Sequence, residues 1–468
     1  MQYSESAPNW ISYAALLIWP VIVICLYKTR PPTQATIATI LGALLLLPSG
    51  TAIKIQMIPA LDKNSIPNLC AFAGCLLLVR RKKTLRHFGT VEILAGLYVV
   101  GPFLTSLLNN DPIIRGNAIL PGVGGYDGFS ATLARSLFFL PFFLGRRFLC
   151  TADDSEEIIR ALVFSGLLYS LPALFEIRMS PQLSTWIYGY LPSSFLIEQR
   201  YGGFRAVVFM ANGLTLAFFF MTSFLAALTL WRMPSPSGYL PSGSIMFYLG
   251  LVVVLCKTAG ALVYSTIIGP LLLWTQPKSQ LRVAVVLVSV SLLYPTLRLA
   301  NLFPDQALVN VAASFDQQRA DSLKFRFDQE QLLLTKALER FWFGWGRYGR
   351  NRVYDDESGR DLSVTDGAWI LALGQFGFLG FLAEFGLLAL PVFRSISAFR
   401  LLKSKGEKAY FATLAVILAL TVVEQIPNAS ISPWTWLLAG TLLGRTEALQ
   451  LTRHLVASTG HSVAARLT

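Results

Sequence analysis

Histidine is almost missing from this chain: His87, His454 and His461 are the only three in 468 residues. All three fall in segments assigned below to the cytoplasmic side of a membrane, so a histidine general base or a zinc site on the opposite face has no ligand to draw on. No GxSxG, HExxH, Walker or dinucleotide-binding glycine signature stands in the context it requires. Serine or zinc hydrolysis and ATP-driven transport therefore lose support. The five cysteines (Cys25, Cys70, Cys75, Cys150 and Cys256) lie in apolar runs or at their ends, with no CxxC pair and no disulfide framework. No metal and no cofactor is expected. Charge is scarce as well: 14% of residues are charged, where a soluble domain carries about a quarter.

What is present is apolar length. Mean hydropathy is +0.55, and apolar runs recur near residues 10–27, 34–50, 65–79, 90–108, 129–148, 158–176, 204–231, 244–257, 259–275, 281–299, 369–393, 408–426 and 432–444. Runs of roughly 17–25 residues suit a hydrocarbon core of roughly 30 Å. Because they are continuous rather than alternating, they exclude a β-barrel. The expected fold is all-α, a polytopic transmembrane bundle of about 11–14 helices. The first run has no basic residue before it and ends in Lys28 and Arg30, the reverse of a secretory signal, so it is expected to be a retained helix.

The net charge of +13 does not indicate nucleic acid, because the basic residues gather where apolar runs end. Lys28/Arg30, Arg80–Lys83, Arg146/Arg147, Arg232, Lys278/Arg282 and Arg394–Lys408 alternate consistently if all are cytoplasmic. The positive-inside rule then puts the N-terminus outside and a basic tail, 445–468, inside. Residues 1–299 become about ten transmembrane helices, 300–368 one large outer loop, and 369–444 the last transmembrane helices. Segments 109–128 (Gly- and Asn-rich loop) and 177–203 (rich in Trp, Tyr and Pro, suited to the interface) fall on the same outer side.

The 300–368 segment holds 20 of the chain's 65 Asp, Glu, Lys and Arg residues, nine basic and eleven acidic. Long ordered loops are usually functional. Leu323, Phe327, Leu334, Leu338 and Phe341 recur at helical spacings, which predicts a helix over 322–340 with one apolar face. Gly344, Gly346 and Gly349 in FWFGWGRYGR then end it.

With histidine excluded, an outer site needs a carboxylate as base or arginines as electrostatic stabilisers. Arg319, Arg326, Arg347, Arg350 and Arg352 lie in the loop, Arg205 begins the seventh run after RYGGF, and Arg135 sits about six residues inside the fifth. Two readings stand for each: guanidinium forks for a lipid-linked pyrophosphate, or ion pairs with nearby carboxylates. Asp366 is the carboxylate nearest the returning helix and equally fits an N-cap. Glu384 and Glu424, inside later runs, read as hydrogen-bond partners of neighbouring helices. Trp342, Trp345, Tyr348 and Tyr354 fit either sugar stacking or interfacial anchoring.

The pattern resembles the O-antigen ligase/polymerase superfamily of membrane glycosyltransferases. The likeness lies in one large outer loop before the last helices, in ERFWFGWGRYGR (Glu339–Arg350) against that family's P-x-x-G-x-G segment, and in DGAWILALGQFGFLGF (Asp366–Phe381) against its H-N-x-y-L-x-x-L-x-E-x-G-x-x-G helix entry. Asp366 and Gly367 replace the family's His-Asn pair, and Gln375 stands where an acidic residue is common. The resemblance implies transfer of glycan units from an undecaprenyl-pyrophosphate donor to a glycan acceptor at the outer leaflet of a bacterial inner membrane. The missing histidine favours a polymerase-like member. Arg205 and Arg326 match family arginines that bind the lipid pyrophosphate, Arg319 assists them, and Asp366 takes the base's position. Arg135, Arg347, Trp345 and Tyr348 are the remaining substrate-binding candidates. A chain-length regulator and other polysaccharide assembly proteins are the implied partners, and nucleic acid is not. The alternatives are a ligase to lipid A-core, a flippase for lipid-linked oligosaccharides, and a solute or ion transporter. A flippase would show related halves with broken helices, which this sequence lacks.

Overall fold

The computed structural model describes residues 7–55, 58–79, 89–200, 202–233, 243–314 and 316–464, with the side chains of Arg319 and of 454–464 excepted. The basic cluster Arg80–Lys83, His87 and the side chains of His454 and His461 lie outside the described residues. The chain is about 72% helical. In order it forms α1 (Trp10–Thr29), α2 (Pro32–Leu46), α3 (Ser65–Leu78), α4 (Thr90–Leu107), α5 (Gly125–Phe148) and α6 (Ala152–Met179). The short α7 (Leu183–Tyr188) and α8 (Phe195–Glu198) follow, then α9 (Gly213–Arg232), α10 (Gly243–Leu255), α11 (Ala259–Trp274) and α12 (Pro277–Leu299). The segment after α12 folds into α13 (Asp305–Ala313) and α14 (Gln317–Leu338), and the chain closes with α15 (Ala368–Phe399), α16 (Lys405–Glu424) and α17 (Pro433–Ala464). Strand is confined, among the described residues, to three small antiparallel hairpins: β1 (Ala52–Ile53) with β2 (Leu61–Asp62), β3 (Ile113–Arg115) with β4 (Ala118–Leu120), and β5 (Gln199–Arg200) with β6 (Gly203–Phe204).

Each apolar run contains a helix. Among the described residues, α1, α4, α5, α6, α9, α12, α15 and α16 are long and apolar enough to cross a membrane, and α2, α3, α10 and α11 are shorter apolar helices. The eight fit a multi-pass membrane protein. The seventh run differs from expectation. Its first nine residues, 204–212, are not helical, because the buried Glu176 carboxylate accepts the N–H groups of Val207 and Val208 (2.8 and 2.7 Å) and bends the backbone there. The helix starts only where Asn212 caps it, its Oδ1 accepting Thr215 N–H. The last run also differs, since α17 continues as helix well past residue 444.

α5 and α17 meet at near-contact of their backbones: a Cβ on Gly440 would lie 2.1 Å from the Phe142 carbonyl oxygen and one on Gly444 2.4 Å from that of Arg146. Spacing two glycines by four residues is what such a helix contact needs. At one end of the bundle Arg146 donates to Glu447 (2.7 Å) and Glu92 (2.8 Å), while Arg445 pairs with Glu407, tying α4, α5, α16 and α17 together. The 300–367 segment packs against the opposite end. There Thr105 and Asn109 at the end of α4 donate to the carbonyls of Phe343 and Gly344 (2.7 and 3.0 Å).

α15 is broken. At 32 residues it would be about 48 Å long if straight, well beyond the hydrocarbon thickness. Gly377 leaves the helix at φ 68°, ψ −169°. The glycine block enters the gap: Trp345 and Gly346 N–H donate to the Gly374 and Gln375 carbonyls (both 2.9 Å), and Phe378 N–H donates to Phe341 (2.7 Å). Carbonyls released by the break are thus satisfied by the loop. A Cβ on Gly377 would lie 2.3 Å from the Trp342 carbonyl carbon, so the approach requires glycine.

Candidate functional site

The inward face of α14 is mostly the one expected, with Leu334 buried and Leu323 and Phe327 half-buried, but Leu338 is 47% exposed while Leu333, Ala337 and Ala320 are buried. Glu330 also faces inward. Tyr294 donates its hydroxyl to that carboxylate and Arg298 stands 3.7 Å away. Burial pushes the Glu330 carboxyl above the usual carboxylate range, against these two partners, which favour its ionised form.

This packing brings Arg326 on α14 to within 4.0 Å of Asp366, which immediately precedes the N-cap of α15. Asp366 does not cap: the N-cap is Gly367, and the first helical N–H, that of Ala368, goes to the carbonyls of Gln425 and Asn428. Both side chains of the pair are over two-fifths exposed, so the contact contributes little stability and leaves both groups open to a ligand. The pair forms a wall common to two cavities. One, of about 310 Å³, is mainly apolar, with Leu323, Phe327, Leu333 and Ile370 beside Tyr264 and Glu330. The other, of about 490 Å³, adds Arg200, Asn212, Glu424, Asn428 and Trp434. Glu424 is oriented by two donors, Tyr264 Oη at 3.0 Å and Asn428 Nδ2 at 2.6 Å. Hydrogen bonds to neighbouring elements are thus the role Glu424 and Glu384 play.

Arg135, Arg347 and Tyr348 come together elsewhere, around a cavity of about 530 Å³ with Asn64, Gln375 and Phe376. Arg135 donates to Glu384 (2.9 Å) and Tyr98 Oη (2.8 Å), and its guanidinium lies over the Phe376 ring at 4.6 Å. It is therefore paired and still lines open space. Tyr348 is 56% exposed with a left-handed backbone (φ 61°), which turns its ring out of the loop.

Two expected residues stand away from these cavities. Arg205 is buried against Glu198 (3.5 Å) and donates to the Ile197 carbonyl (2.8 Å), closing the β5–β6 hairpin that carries Arg200 to the 490 Å³ cavity. Trp345 is buried between Lys336 and Arg340, whose cations lie 3.6 and 4.2 Å from its ring, and donates Nε1–H to the Lys336 carbonyl. Its faces are taken. Arg319 lies on α14, its side chain outside the described residues. Arg350, one of the loop arginines, is fully buried. It donates to the carbonyls of Trp345 and Pro121, and burial lowers its pKa.

Arg200 and the buried Lys63 escaped the sequence reading, which weighed Glu330 only as a solvated ion-pair partner of the loop arginines. Arg200 adjoined the RYGG turn, whereas nothing in the local sequence marked Glu330 or Lys63 for the interior. Among the described residues no group of three His, Cys, Asp or Glu side chains is placed to hold a metal ion. Chemically, the 490 Å³ cavity offers cations at one wall, carboxylates within the same wall and an adjoining apolar chamber. No protein-family model matches this chain, and no curated protein is significantly similar to it.

Proposed function

We propose that the protein is a bacterial inner-membrane glycosyltransferase of the polysaccharide polymerase type, with residues 300–368 on the periplasmic side. The observation that carries this reading is the Arg326–Asp366 pair, half-open at the boundary between an apolar and a polar cavity. The apolar chamber suits the first part of a polyprenyl chain, and Arg326 with Arg200 suits its pyrophosphate. An acceptor sugar hydroxyl attacks the anomeric carbon of the donor. The bond from that carbon to the phosphate oxygen breaks, and the lipid pyrophosphate leaves with the electron pair. Arg326 neutralises the charge that develops on it, and Asp366 accepts the hydroxyl proton. Arg205 serves this site by holding the hairpin on which Arg200 sits. The donor is already activated, so the step needs no nucleotide. Partners would be a chain-length regulator or other polysaccharide assembly proteins.

Replacing Arg326 with Ala or Asp366 with Asn should lower polymer formation at least about a hundredfold. Lipid-linked units should then accumulate on the outer leaflet, measured by extracting them after labelling intact cells from outside. Accumulation on the cytoplasmic leaflet instead would overturn the transferase reading in favour of a flippase.

A further inference from the structure

The 490 Å³ cavity does not end at Asn212. It shares Leu44, Met210, Asn212, Thr215, Ser430 and Ser432 with a further cavity of about 340 Å³. That cavity in turn shares Asp62 and Asn64 with the 530 Å³ cavity of Arg347 and Tyr348. The three cavities thus adjoin through shared walls, in a row from the Arg326–Asp366 pair to Tyr348. Ala429 lines the first two of them.

The lining is mixed along this path. Near Arg326 it includes Phe218, Phe219, Ile417 and Leu438; in the middle the apolar Leu44 and Met210 stand beside Lys63, Asn64, Asn212 and Ser430. Three of these polar side chains keep a polar atom to spare. Asn212 spends Oδ1 on Thr215 N–H and Oγ1–H, and among the described residues its amide nitrogen has no partner. Asn64 spends its amide nitrogen on Asp62 (3.3 Å), leaving Oδ1. Ser430 Oγ accepts from Gln425 (3.0 Å) and keeps its own proton to donate. A hydrocarbon chain laid here would strip water from these groups and return nothing, whereas sugar hydroxyls both donate and accept. At the far end the exposed Tyr348 ring offers a stacking face beside two guanidinium groups.

We infer that this path holds the acceptor glycan, several sugars deep, with its reacting hydroxyl at Asp366 and the rest of the chain leaving past Tyr348. The inference rests on the transferase reading above.

Its test uses the full chain in nanodiscs with the natural lipid-linked donor and, as acceptors, oligosaccharides of one and of several repeats cut from the cell's own polymer. For the wild type the acceptor KM should fall as repeats are added. Ala429→Trp, which fills the passage and removes no hydrogen bond of its own side chain, should raise the KM of the long acceptor about tenfold and abolish the benefit of length. The donor KM should not change. Asn64→Ala, at a position whose side chain caps no helix, should shift the long-acceptor KM the same way and carries the test if the tryptophan variant does not fold. A wild-type acceptor KM independent of length, or a long-acceptor KM unchanged in the folded variants, overturns the path while the transferase reading stands. No transfer by the wild type with any acceptor overturns both.

Discussion

Single polar residues in apolar sequence have two fates, and this chain shows both. Arg326 and Arg135 line cavities, while Arg205 and Arg350 are consumed by carbonyls and carboxylates. Lys63 is the most deeply committed: its ammonium donates to Ser49 Oγ (2.8 Å) and to the carbonyls of Leu44 and Phe209. Among the described residues no carboxylate lies within ion-pair distance of it. Burial pushes its pKa down to about 7, with Asp62 opposing that shift. The unfolded chain, with the ordinary lysine value, binds the proton first as pH falls. Between pH 7 and about 10.5 the unfolded state thus holds more protons, and stability rises with pH. Comparing unfolding midpoints of wild type and Lys63→Met in detergent should show the wild type gaining, by up to about 1.4 kcal/mol per pH unit across that window. Parallel curves would contradict the assignment. No periodicity marks Lys63, because its acceptors lie outside its own element, two of them at or just past the end of α2 and the third at Phe209, 146 residues on.

At the scale of elements, the two glycine motifs prove to be one device. The FWFGWG block was legible as an interruption of helix, since glycine weakens helices wherever it falls; the break at Gly377 was not, because 369–393 reads as one continuous apolar run. That each interruption supplies the other's hydrogen bonds was not legible. Gly377→Ala should destabilise the protein by more than about 3 kcal/mol, combining a backbone conformation reserved for glycine with a clash against Trp342. Gly96→Ala, on α4 with nothing near its Cβ, should change stability by less than about 1 kcal/mol. Thermal melts of both in detergent decide the matter; equal melts would mean the break is dispensable. The α14 face was legible except at Leu338, which is exposed, and at Glu330, which the contacts to Tyr294 and Arg298 hold inward.

For the whole molecule, polarity divides the bundle. Arg146, Glu447, Glu92, Arg445 and Glu407 cluster at one end, and the 300–367 segment with its cavities occupies the other. If the basic end is cytoplasmic, Glu357→Cys should react with a membrane-impermeant maleimide in intact cells, and Ser404→Cys only after permeabilisation, in a background with Cys25, Cys70 and Cys150 replaced. Both positions are exposed, so access is not limited by packing. The reverse pattern would invert the topology and overturn the proposed periplasmic placement.

The sequence by itself determined the class, all-α and built for a membrane, and the segment where charge collects. Both follow from local quantities, the length of apolar runs and the charge at their ends. Only the tertiary structure decided which arginines face open space and which close on the backbone. It alone joined Arg135 to Glu384, 249 residues apart, and Arg146 to Glu447, 301 apart. A guanidinium in lipid-facing sequence must find a partner, and which one it finds is set by the crossing of helices that local pattern does not encode.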